Sequence, residues 1–479
     1  MRNFLKIFPG LIFLFAFIKE MPVQAQNQSA DQQNLIAASQ TGASPLFFYP
    51  DSFALPAAQP SSFHHSSEFQ IRDGLPNLFR KLRSGKSVTI GYLGGSITRA
   101  DEQYRVQSAK FIQSIFPDTK ITGINAGVSG TGTDLGACRL YEQLLRYNPD
   151  VIFVEFAVNG AFAEGMEGII RQVWRCNPQI DICLIYTITD GVGKIYPEGK
   201  IPDHIAKLDL LARHYSIPSV HLGMEAAFLE KEEKLIWKGN PDQVKDKIVF
   251  SADGVHPLLA GGNLYAGSLA RALLQMNRNA RTKNHRLPEP MLADNWEDAQ
   301  MIDPTVAALF DSQWIKINPA ESTDLKQFSG WFPYLLRAEE PGASFTFLFE
   351  GNMFGLFDIG GPEVGQLEFQ MDGKPLLMRQ LNMDNFIETS DSSSANPINR
   401  FNRFCNNRYR GQCFFAKVRP GKHVVKVIIS SQMPDKTNIL GENENTDITS
   451  HPEKYNRTVE YLGKILVRGK IIEYNNNHN

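Results

Sequence analysis

The sequence predicts an α/β chain: a doubly wound sheet of five parallel strands, followed by an all-β module of sandwich or jelly-roll type. Three observations predict it. Five short apolar runs alternate with helix-length segments between about residues 86 and 277. The inner runs, VIFVEFAV and IDICLIYTI, are apolar almost throughout, as strands buried on both faces require. Past about Arg286 the helical period fades, and strand-like runs with hairpin turns replace it.

Taken in order, residues 1–25 read as an export signal. Arg2 and Lys6 give a positive start, residues 7–18 an apolar stretch broken by Pro9 and Gly10, and Val23-Gln24-Ala25 a small-residue cleavage site. The stretch is too short for a membrane span, and no later segment is long enough for one. No cysteine directly follows the cut, which argues against a lipid anchor. The expectation is a soluble protein that is secreted or periplasmic. Residues 26–69, rich in Ser, Ala, Gln and Pro, read as a loosely ordered lead-in, with His64-His65 as polar loop residues.

Residues 70–285 form the α/β part. Its strands are expected at residues 87–93, 121–126, 151–158, 180–188 and 218–222. Its helices are expected at 103–115, 134–147, 166–176 and about 258–277. Residues 286–479 form the β module, with strands at 345–349, 353–359, 367–371, 413–418, 423–429 and 459–467. Hairpin signals lie at Asp372-Gly373 and Pro420-Gly421. Arg400, Arg403, Arg408 and Arg410 share one loop region that reads as a solvated basic loop, with a glycan-holding surface as the sharper alternative.

Composition narrows the function. With 42% hydrophobic and 21% charged residues the chain is an ordinary globular one, and a net charge of −2 argues against nucleic acid as a partner. Five cysteines cannot all pair. Cys405 and Cys413 bracket an Asn/Arg-rich loop where a disulfide would suit an oxidising compartment. Cys176 and Cys183 flank a turn, and Cys138 reads as a buried thiol. No C-x-x-C spacing or histidine cluster points to zinc, and no metal or organic cofactor is expected.

Four segments carry chemistry. In GYLGGSIT, Ser96 falls just past the first strand, where a helix should begin, and Gly94 and Gly95 let the backbone turn tightly beside its hydroxyl. This is neither a G-x-S-x-G elbow nor a P-loop. NAGVSGTGT follows the second strand; its Gly130, Gly132 and Gly136 miss the dinucleotide spacing by one residue. EFAVNG ends the third strand with Asn159, whose amide is free to donate. In DGVHP, Asp253 and His256 stand three residues apart on one turn, close enough to act together. A serine hydroxyl needs a base, usually an imidazole, whose ring a carboxylate orients.

In that chain order the four segments resemble the SGNH/GDSL hydrolase family over roughly residues 88–273. Gly94-Gly95-Ser96-Ile97-Thr98 matches its nucleophile block, with Gly95 where many members have Asp. Gly130 matches its glycine block, Asn159 its asparagine block, and Asp253 with His256 its C-terminal block. Gly160 stands where the family often has Asp. The resemblance implies a flavodoxin-like sheet and a serine esterase with Ser96, Asp253 and His256 as catalytic residues. It also implies an oxyanion hole formed by the Ser96 and Gly130 backbone N–H groups and the Asn159 amide. With export and a β module, it is similar to two-domain carbohydrate esterases that remove O-acetyl groups from polymers. The alternatives are a lipid or thioester acylhydrolase and a catalytically dead carbohydrate-binding protein. A glycosidase is disfavoured, since Asp150 and Glu155 lie at or within an apolar strand and make no convincing carboxylate pair.

Overall fold

Apolar runs flanked by glycine and polar turns become the inner strands of one sheet. The computed structural model describes residues 46–101, 103–159, 162–278, 284–380, 386–389, 397–442 and 445–472. The expected export signal and Gly160 lie outside the described residues. Seven strands form the first sheet: β1 (Phe47–Phe48), β2 (Phe69–Gln70), β3 (Val88–Gly94), β4 (Ile121–Gly127), β5 (Val151–Glu155), β6 (Asp181–Tyr186) and β7 (Ser219–His221). Their order is β1-β4-β3-β5-β6-β7-β2. The five inner strands are parallel, and every residue of β5 and β6 is buried.

The first crossover runs from β3 to β4 on one side and the chain then returns to β5 on the other. This reversal leaves a crevice at the carboxyl ends of β3, β4 and β5, where open α/β sheets bind ligands.

Two of the seven strands exceed the expected five, and both come from the stretch read as loosely ordered. Phe47 and Phe48 pair with Ile124 and Gly123, and Phe69 and Gln70 with Val220 and Ser219, each as a two-residue antiparallel edge. Arg271 pins the same lead-in, pairing with Glu68 at 2.5 Å and Glu225 at 2.7 Å and donating to Ser61. These long-range ties order the described part of the lead-in, from residue 46 on, where composition alone predicts a loose chain.

Helices cover the sheet: α1 (Pro76–Arg83), the single turn α2 (Ser96–Arg99), α3 (Tyr104–Ile115), α4 (Thr133–Gln143), α5 (Ala163–Cys176), α6 (Asp203–His214), α7 (Met224–Lys231) and α8 (Leu259–Asn277). Between α7 and α8 a separate parallel pair forms, β8 (Leu235–Lys238) and β9 (Ile248–Ser251), which the sequence pattern does not announce. Among the described residues no helix is long and apolar enough to cross a membrane.

The C-terminal half is a large and almost wholly antiparallel sheet. Where a sandwich or jelly roll is expected, the hydrogen-bonded ladders link twelve strands into one continuous sheet, dominated by Ser344–Gly360, Arg410–Ile429 and Glu460–Ile472. A register shift between Gly351 and Met353 bends the first of these, as a β-bulge does. Phe345, Phe347 and Phe349 before the bulge therefore join Phe354 and Leu356 after it in one apolar cluster. Met353, Phe357 and Ile359 face the other way and belong to the core that fills the α/β half.

Two expectations about this half need correction. Cys405 and Cys413 are both buried and free, so the disulfide is absent. The arginine loop is not uniformly solvated either. Arg400 is buried and grips Asp358 through Nε at 2.8 Å and Nη2 at 2.5 Å. The partners are 42 residues apart, so spacing gives no hint of them.

The halves meet closely. Lys464 pairs with Glu142 of α4 at 2.9 Å, and Gly168 of α5 packs directly against the Trp296 backbone. A Cβ at position 168 would overlap the Trp296 carbonyl carbon and oxygen, and backbone cannot swing aside as a flexible side chain can. Gly168→Ala is expected to cost about 1–3 kcal/mol as an overpacked contact, read as a lowered thermal unfolding midpoint.

Candidate active site

The site starts from the sharp turn after β3. A Cβ at Gly94 would collide with Thr98 Oγ1 and the Glu155 carbonyl oxygen, so only glycine fits there. A Cβ at Gly95 would stand 2.9 Å from Asn159 Cγ. The missing side chain lets the Asn159 amide lie against the nucleophile turn. Arg99 N and Ala100 N bond back to the Gly95 and Ser96 carbonyls at 3.0 and 3.2 Å, which closes α2 as a single turn with Ser96 at its start. The expected helix does begin at Ser96, but it ends within four residues.

Neighbouring strand ends bring the other segments up. Gly94 pairs with Gly127 of β4, and Val128 N donates to the Gly94 carbonyl at 3.0 Å. The loop carrying Gly130 is therefore tied to the nucleophile turn. Gly130 itself has φ +70 and is exposed. Asn125 holds the far end of α2 by donating from Nδ2 to the Arg99 carbonyl at 3.1 Å. Asn159 follows β5, its N–H bonded to the Phe156 carbonyl at 2.9 Å.

The opposite wall is the turn after β9. His256 Nε2 lies 2.7 Å from Ser96 Oγ, and His256 Nδ1 lies 2.6 Å from Asp253 Oδ2. Asp253 Oδ1 accepts from the N–H groups of Val255 and His256, both at 2.8 Å, and from Ser251 Oγ at 2.9 Å. Burial alone would raise the Asp253 carboxyl. The hydrogen bond and charge of His256, then the two N–H groups, outweigh it and hold the group well below the usual carboxylate range. Asp253 is thus an anion throughout the neutral range.

Two supporting residues escaped the sequence reading. Ser251, fully buried, accepts from the N–H of Gly254 at 2.9 Å and of Asp253 at 3.2 Å while its hydroxyl donates to the Asp253 carboxylate. The apolar run predicts a strand through residue 158 with Glu155 inside it, but β5 ends at Glu155. Its carboxylate sits under the nucleophile turn and accepts from Thr187 Oγ1 at 2.5 Å, Thr98 Oγ1 at 2.9 Å and the Gly95 N–H. Burial raises this carboxyl above its ordinary range; the bonds from Thr187, Thr98 and Gly95 and the charge of His256 pull it back. The one available signal was a lone charge closing an otherwise apolar strand.

The structure therefore brings together Ser96, His256, Asp253, Asn159 and the Gly130 loop. Comparison with known proteins adds the fold. No family model matches the chain, and no curated protein matches it. Among solved structures it resembles a two-domain esterase (CEX) active on acetylated mannans. The likeness covers 83% of this chain and 95% of that one, at a TM-score of 0.57 and 17% identity. In that structure the esterase was co-crystallized with mannopentaose. A second structure of a two-domain esterase of the same description matches at the same TM-score and identity, over 85% of this chain and 97% of that one. The two-domain fold is shared across both halves. Among the described residues no group of three or more His, Cys, Asp or Glu is placed to hold a metal ion.

Ser251→Ala would leave the N–H groups of Asp253 and Gly254 without their acceptor in a buried turn. A loss of about 1–3 kcal/mol of unfolding free energy is expected, measured by denaturant titration.

Proposed function

We propose that this chain is an exported serine esterase of the SGNH/GDSL type that removes O-acetyl groups from carbohydrate polymers. The observation that carries the reading is the unbroken hydrogen-bond path from Ser96 Oγ through His256 to Asp253, set at the carboxyl ends of β3 and its neighbours. A hydroxyl at 2.7 Å from an imidazole, whose other nitrogen meets an ionised carboxylate, is the arrangement that makes serine a nucleophile.

In this mechanism Ser96 Oγ attacks the acetyl carbonyl while its proton passes to His256 Nε2. Asp253 fixes the ring through Nδ1 and stabilises the imidazolium. The N–H groups of Ser96 and Gly130 and the Asn159 amide receive the oxyanion, and the imidazolium returns its proton to the departing sugar oxygen. Water, deprotonated by the same histidine, then attacks the acyl group on Ser96; the Oγ–acyl bond breaks, His256 returns the proton to Ser96 Oγ, and acetate leaves. The closeness of Asn159 to Gly95 supports its part, because the amide already stands beside the nucleophile turn.

The shared fold with an esterase active on acetylated mannans supports an acetylated polysaccharide over a lipid or thioester. In this reading residues 70–285 form the hydrolase domain with a flavodoxin-like sheet, and residues 286–479 form a β accessory domain of jelly-roll type. Residues 1–25 direct the chain out of the cytoplasm.

Ser96→Ala is expected to abolish hydrolysis of 4-nitrophenyl acetate and labelling by a fluorophosphonate; undiminished labelling of the variant would overturn the reading. Asn159→Ala is expected to lower kcat by about 10²–10³ with little change in KM, as loss of one oxyanion donor does. Steady-state kinetics on the same ester distinguish this from a KM effect, which would make Asn159 a substrate-binding residue.

A further inference from the structure

Arg410 opens the long strand Arg410–Ile429 of the C-terminal half, yet its guanidinium reaches across to the α/β half. Nη2 lies 3.6 Å from where a Cβ on Gly130 would be, beside the loop that flanks Ser96. Its Cζ stacks over the Phe404 ring at 4.8 Å, and Arg403 lies over the same ring at 5.2 Å. Ring stacking uses the face of the guanidinium and leaves its in-plane N–H donors open.

Those donors have nothing to hold within the described residues. Arg410 forms no side-chain hydrogen bond and no ion pair there, and its buried Nε has no partner. The nearby carboxylate, Asp358, is taken by Arg400 and Gln412. Burial lowers the Arg410 pKa; Cys405 and Cys413 oppose the shift, and repulsion from Arg400 adds to it. Next to Gly130 in the same loop, Ser129 Oγ is also buried and without a partner among the described residues. A cation this far removed from water with no counter-ion among the described residues is costly, and partnerless groups of this kind cluster where a ligand completes them.

We propose that Arg410, with Ser129, forms a subsite for a carboxylate on the substrate, so that the enzyme acts on acetylated polysaccharide carrying uronic-acid residues. This rests on the esterase reading above. The planar fork of a guanidinium matches a carboxylate with two parallel hydrogen bonds, and the Ser129 hydroxyl supplies a third donor. A resident carboxylate suits this site better than the reaction's own oxyanion. The oxyanion exists only in passing, whereas Arg410 has no counter-ion among the described residues in the resting protein.

The test uses the full-length protein and inhibition of 4-nitrophenyl acetate hydrolysis. One inhibitor is a xylo-oligosaccharide bearing glucuronic acid; the other is the same oligosaccharide with the carboxyl reduced to an alcohol. The acidic form is expected to inhibit at a concentration at least about tenfold lower than the reduced form. That ratio should shrink as salt rises. Arg410→Gln should bring it to about one, and Arg410→Lys, which keeps the charge without the fork, should retain part of it. Equal inhibition by the two forms in the wild-type protein would overturn the proposal, and so would an unchanged ratio in Arg410→Gln. If the protein hydrolyses no ester at all, the esterase reading fails by itself, and calorimetry with the same pair of oligosaccharides still reads the carboxylate preference.

Discussion

The carboxylate of Glu155 is the constraint on which the rest of the site depends. It is fully buried at the end of β5, and three donors converge on it from three segments: Thr187 beyond β6, Thr98 within α2 and the Gly95 N–H of the nucleophile turn. A buried carboxyl is unfavourable unless such donors meet it, so the geometry of all three segments is set by one group. Thr98 continues the chain of bonds to Tyr104 OH at 2.7 Å, which couples the turn to the first residue of α3. Ser96 thus rests on a polar network inside an otherwise apolar sheet, and the hydrogen bond to His256 Nε2 at 2.7 Å directs its hydroxyl.

That network explains what was legible in the sequence and what was not. Ser96 and the Asp253–His256 pair could be read because each is a local pattern: a glycine turn after an apolar strand, and two groups one helical turn apart. The crevice they share could be read because alternation of strands and helices fixes the direction of the sheet. Glu155 and Ser251 act through partners far along the chain or through backbone donors, and neither leaves a periodic trace. The edge strands β1 and β2 are two residues long and exist only because β4 and β7 offer free edges. Cys405 and Cys413 suggested a bridge on spacing alone, yet they pack as separate buried thiols.

The division of the chain near residue 286 reflects a change of pattern, not a break in packing. One apolar core runs from Leu93 and Phe153 of the α/β sheet to Trp296, Trp331, Phe357 and Phe415 of the β half. Arg468 on the last long strand grips Asp294 at 2.6 Å, Asp298 at 2.9 Å and the Asn295 carbonyl at 2.8 Å, fastening the connecting segment to the β sheet. The same segment is held to the α/β half, where the Met291 and Leu292 N–H groups donate to the Glu167 carboxylate of α5 at 2.5 and 2.7 Å. Arg171 of that helix adds the Pro288 carbonyl and Glu297.

Such a junction changes what a side chain from the β half can do for the crevice beside Ser96. A group on a tethered, independently moving module contributes only as often as the module docks. Here the strand that begins at Arg410 carries Phe415 into the shared core five residues later, and Phe415 packs edge-on against Trp296 at 5.0 Å. The guanidinium beside Gly130 is therefore positioned by the core itself. Holding a charge that has no partner among the described residues at a fixed place costs stability, and the rigid junction spares a further loss of entropy when a ligand binds beside Gly130.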